Sequence, residues 1–84
     1  MRTMKTFDEI RIEAREYAVE LESAFRDLRT VESLTDGWSE RMQTEVRAVS
    51  LIFERMDRDE RIPRYVTDFY RKIYRTIIAE EQAL

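Results

Sequence analysis

Residues 7–31 read FDEIRIEAREYAVELESAFRDLRTV, and in them the apolar positions Phe7, Ile10, Ala14, Tyr17, Leu21, Ala24, Leu28 and Val31 alternate steps of three and four without interruption. That spacing keeps one side of an α-helix apolar for about three and a half heptads, whereas a strand needs a period of two. Ala18 and Phe25 widen the stripe on one side, which suits a bundle helix better than a two-stranded coil. The spacing predicts a helix over 6–32, roughly 40 Å long at 1.5 Å per residue. Its outer face places like charges four apart, at Glu9/Glu13, Glu16/Glu20 and Arg11/Arg15. Each such pair weakens an isolated helix by about 0.2–0.5 kcal/mol, so packing or another chain must hold this one.

Outward from this helix, Ser33-Leu34-Thr35-Asp36-Gly37 gathers turn formers and the single glycine, which places the first reversal there, with Asp36 or Ser39 able to cap the next helix. A second apolar stripe, Trp38, Met42, Val46, Val49, Phe53 and Met56 with Ile52 beside it, predicts a helix over 38–58. Asp57-Arg58-Asp59-Glu60-Arg61 has no apolar residue, and Pro63 fits best at the first position of a helix because it cannot donate a backbone hydrogen bond. Beyond it Tyr65, Val66, Phe69, Tyr70, Ile73, Tyr74, Ile77 and Ile78 pair up on each turn of a third helix, over 63–82. Such a stripe is wider than one neighbour needs, so this helix is expected to pack on both others or on a second copy of the chain.

The expectation is therefore an all-α, three-helix up-down bundle with a long first helix, one domain over 1–84, either alone or as an intertwined or packed homodimer. At 84 residues a domain buries only about 60% of its unfolded surface, so its stability is small or shared with a partner. The start, charged from Arg2 and Lys5 onward, fits neither a signal peptide nor a membrane span, which points to the cytoplasm and to no membrane partner.

Chemistry is narrowed by what the composition leaves out. Histidine and cysteine are both absent, which removes the commonest general base, thiolate nucleophiles, disulfides and the ligands of a small zinc site. One glycine cannot build a phosphate loop. No catalytic set, metal or cofactor is expected. The paired carboxylates Glu9/Glu13 and Glu16/Glu20 have the chemistry to meet a hard cation, but fit equally a solvated helix face. The formal charge is −3, with six basic and nine acidic side chains over 1–36 and nine of each over 37–84, so any electrostatic preference is local.

The local candidate is the basic run Arg61, Arg64, Arg71, Lys72 and Arg75, opposed only by Asp68. Positions 64, 68, 71 and 75 share a helical face, and with Tyr70 and Tyr74 nearby the run has the parts of a nucleic-acid surface, cations for phosphates and rings for bases. The competing reading pairs these cations with acidic faces and puts the tyrosines in the core with their hydroxyls at its rim. Trp38, beside Gly37, is either a binding anchor or the cap of a small core.

Tyr65-Val66-Thr67-Asp68-Phe69-Tyr70 through Ile77-Ile78-Ala79-Glu80-Glu81-Gln82-Ala83-Leu84, together with Glu9-Ile10-Arg11, resembles parts of the third and first helices of the all-helical chorismate mutases. The resemblance implies an entwined dimer in which Arg11 binds a substrate carboxylate, Glu45 lies in the middle-helix part of the site, and Glu81 or Gln82 faces the ether oxygen. The chain departs from the family at Leu28, where a second arginine is expected, and at Thr44, where an arginine should precede Glu45. Its only lysines, Lys5 and Lys72, lie elsewhere.

The residues themselves favour a non-enzymatic protein-interaction module, an adaptor, regulatory subunit or inhibitor, acting through amphipathic helix faces on a protein partner or on its own copy. The candidate binding residues are Trp38, Arg64, Tyr70, Arg71, Tyr74 and Arg75. A mutase-like enzyme and a nucleic-acid binder, the latter not favoured, are the alternatives.

Overall fold

Thr6 starts the first helix by accepting, through its hydroxyl, a hydrogen bond from the Glu9 N–H at 3.2 Å, and Asp8 and Glu9 suit the positive end of the helix dipole. In the computed structural model, which describes residues 6–30 and 38–82, that helix is α1 (Phe7–Ala14) and is succeeded by α2 (Glu16–Thr30), α3 (Trp38–Arg58) and α4 (Arg64–Gln82). The described residues form helices and one short turn, with no strand. The turn expected over 33–37, Val31 of the seam, and the Trp38 and Ser39 side chains lie outside what is described.

The second helix covers 38–58 as expected, and the last one begins a residue after Pro63, whose carbonyl accepts from the Val66 N–H at 3.0 Å. The long first helix is corrected: the described residues form four helices rather than three, because the stretch over 6–32 breaks at Arg15. Arg15 has φ 58° and ψ −139°, outside the regions open to a residue with a Cβ. Tight i to i−3 bonds flank the break, from Arg15 N–H to the Ile12 carbonyl and from Ala18 N–H to the Arg15 carbonyl, both at 3.2 Å. Neither glycine nor proline is present here to announce it.

The apolar seam nevertheless stays in register across the break. Ile10, Ala14, Tyr17, Leu21, Ala24 and Leu28 are all buried. From α3 they meet Val49, Ile52, Phe53 and Met56, and from the turn and α4 they meet Ile62, Val66, Tyr70 and Ile77. The break turns α1 onto α4, where the Phe7 and Phe69 rings lie 5.7 Å apart, while no α-carbon of α1 comes within 8 Å of one in α3. It also brings Arg11 Nε within 2.7 Å of Glu22 Oε2. Along a continuous helix these residues would stand roughly 16 Å apart, so this ion pair reports the change of direction.

The wide stripe on α4 is used inside the chain, since α4 packs on α1, α2 and α3. Across the helices Arg55 reaches Glu20 at 3.3 Å and Arg61 reaches Glu16 at 3.9 Å, so two carboxylates of the like-charged outer face gain cationic neighbours. No described helix is long and apolar enough to cross a membrane.

Candidate functional site

The tightest polar cluster sits at the α3–α4 turn. Asp59 Oδ1 accepts from the Arg61 backbone N–H and Nε, both at 3.0 Å, and Oδ2 accepts from Arg61 Nη2 at 2.7 Å and from the Tyr17 hydroxyl at 2.9 Å. The Arg61 bonds hold the Asp59 carboxyl far below the ordinary carboxylate range, and donation to Asp59 pushes the Tyr17 hydroxyl up. Arg55 lies 5.2 Å from the Tyr17 ring centre. Both Asp59 oxygens are taken up by these donors, so the cluster ties α2 to the turn.

The basic run on α4 is only partly gathered. Arg71, Tyr74 and Arg75 line one shallow pocket with Ser50, Phe53 and Glu54, and Arg64 shares the neighbouring one with Arg71. Arg71 is already paired with Asp57 at 2.5 Å and stacks 5.3 Å from the Phe53 ring centre. Tyr74 is half-buried between Phe25 and Phe53, with centroids at 6.2 and 5.9 Å. Tyr70 is 1% exposed and faces a different pocket. Tyr70 is buried and Tyr74 is held between two phenylalanines, so neither offers the open ring face beside cations that stacking on bases requires. Arg11 and Glu45, which the mutase resemblance would join, lie on α1 and α3, whose α-carbons nowhere come within 8 Å of each other in the chain.

Two other hollows carry residues that sequence spacing alone does not single out. One, of about 400 Å³, is walled by Phe7, Phe25, Ile73 and Ile77, with Tyr70 behind them and Glu22, Arg26 and Arg29 at its edge. The Tyr70 hydroxyl is buried and has no hydrogen-bond partner among the described residues, and burial pushes it up to about 12. The other hollow, of about 360 Å³, lies on the outside of the helix break and is bordered by Ile12, Ala18 and Val19 with Asp8, Arg11 and Arg15. Ile12 is 75% exposed and Val19 68%. Their signal is present in the sequence as two apolar residues seven apart and off the seam. What it lacks is the break that sets them around one concavity.

No protein-family model, curated protein or solved structure matches this chain, so the reading of these sites rests on the chemistry of the residues themselves.

Proposed function

We propose that the chain is a non-enzymatic protein-interaction module that docks an amphipathic helix of another protein on the outer hollow at the α1–α2 break. The single observation that carries this reading is the pair Ile12 and Val19, both largely exposed and lining one concavity. Isolated exposed apolar residues are ordinary, but a shared hollow with an apolar lining is the geometry of helix-in-groove recognition. Arg15, exposed and in no ion pair among the described residues, favours a partner with an acidic residue beside its apolar stripe. Arg11 is held by Glu22 and adds shape rather than free charge.

The reading is tested by placing a photo-cross-linking residue at Ile12, at Val19 and, as a control, at exposed Arg47. Efficient cross-linking of one protein from 12 and 19 but not from 47 is expected, followed by loss of that protein's binding in Val19→Asp at an unchanged melting temperature. Equal cross-linking from all three positions would sink it.

A further inference from the structure

The Tyr70 pocket combines three features on unrelated grounds. Its walls are apolar and aromatic, from Phe7, Phe25, Ile73 and Ile77, and its volume of about 400 Å³ lies in the range of small-molecule sites. At its edge Arg26 and Arg29 are exposed and enter no ion pair among the described residues, and the only acid that those residues place there, Glu22, is engaged by Arg11. The edge is thus cationic in a protein whose overall charge is −3. Behind the walls stands a protonated phenol with nothing to donate to among the described residues. Buried hydroxyls are almost always paired, and leaving one unpaired costs stability unless something else uses it.

We propose that this pocket binds an aromatic carboxylic acid carrying a neutral acceptor at its far end, with the carboxylate on Arg26 and Arg29, the ring system between Phe25 and Ile77, and the acceptor on the Tyr70 hydroxyl. Charge complementarity selects the anion, since a guanidinium pairs with a carboxylate through parallel hydrogen bonds. Apolar area supplies the body of the affinity, and the lone donor supplies the orientation. The Tyr70 oxygen is shielded from solvent, so the acceptor reaches it only by displacing a lining side chain. Phe7, 48% exposed at the start of α1, is the least enclosed of the apolar ones.

The probe is 6-acetyl-2-naphthoate, titrated into methyl-labelled protein while the Ile73 and Ile77 methyl resonances are followed. Saturable shifts at both are expected, with affinity falling at least tenfold in the double variant Arg26→Ala/Arg29→Ala. Both arginines are exposed, and an unchanged melting temperature shows that the variant is folded. Tyr70→Phe should weaken the probe several-fold and leave plain 2-naphthoate, which has no far acceptor, unaffected. No saturable shift at millimolar probe, or arginine variants that bind as the parent does, would overturn the proposal. Equal loss of both compounds in Tyr70→Phe would overturn the role given to the hydroxyl.

Discussion

At Tyr70, Tyr70→Phe removes the unpartnered hydroxyl while keeping the ring that packs 6.5 Å from Phe25 and 5.5 Å from Phe69. Deleting a buried donor that has no acceptor returns its desolvation cost, so the variant should be more stable by about 1 kcal/mol in urea unfolding. Its alkaline behaviour should change as well. The folded-state value is raised to about 12 by burial, so the tyrosine's contribution is complete below its ordinary value of 10 and declines as pH rises from 10 to 12. In Tyr70→Phe the decline over that window should be shallower, with the remainder coming from Tyr17 and Tyr74, which are also raised. Arg15 presents the converse case, strain in the backbone rather than in a side chain. Its φ of 58° with ψ −139° is open to glycine and costs a residue with a Cβ about 1–3 kcal/mol. Glycine's extra freedom in the unfolded chain takes back part of that gain. Arg15→Gly should still stabilise by about 1 kcal/mol, a rise of roughly 4–8 °C in melting temperature. A loss of stability would show that the parent holds an ordinary helix through residue 15.

Between elements, Asp59 connects α2 with the α3–α4 turn through Tyr17 and Arg61. Because its folded-state value is depressed, the carboxylate contributes fully above the ordinary Asp value of 3.8, and the contribution is lost as pH falls below it toward the folded-state value. Acid unfolding followed by circular dichroism should therefore begin near pH 4. Asp59→Asn should be less stable at pH 7 and flatter through that window; an identical acid profile would show that other carboxylates set it. The seam makes a larger demand. Leu21 is fully buried, and an unpaired carboxylate there should unfold the bundle, whereas Glu16→Ala, exposed and 3.9 Å from Arg61, should shift stability by less than about 0.5 kcal/mol. Far-UV dichroism of Leu21→Asp separates the two. Helix type, the buried stripe and the turn before Pro63 were legible because each is written in local spacing. The break was not, because the same seam of threes and fours serves a straight helix and a broken one. What decides between them is α1 reaching α4 and Arg11 reaching Glu22, and neither partner can be assigned from spacing. The candidate sites were lost for the same reason: Tyr70 was legible as an aromatic on a basic helix, but Arg26 and Arg29 join Phe7 around the Tyr70 pocket, and Ile12 and Val19 share a hollow, only once α1 has turned.

For the whole molecule, the broad stripe on α4 bears on whether the chain associates with itself. Taken in isolation it suits either both other helices or a second copy, but the fold seats three helices against it, and among its described side chains the only large apolar one left exposed is Tyr65, at 44%. Among the described residues the other exposed large apolar ones are Phe7, which packs on Phe69, Leu51 on α3, and the pair Ile12 and Val19. A stable homodimer buries on the order of 1,000 Å² or more with an apolar centre, and one two-residue hollow is a poor seed for that area. Light scattering across a concentration series should accordingly give a constant mass of 10.2 kDa. A mass that doubles with concentration would make the second copy the occupant of the hollow. Val19→Asp would then have to restore the monomer, because no other described hollow outside the core has two largely exposed aliphatic residues at its edge.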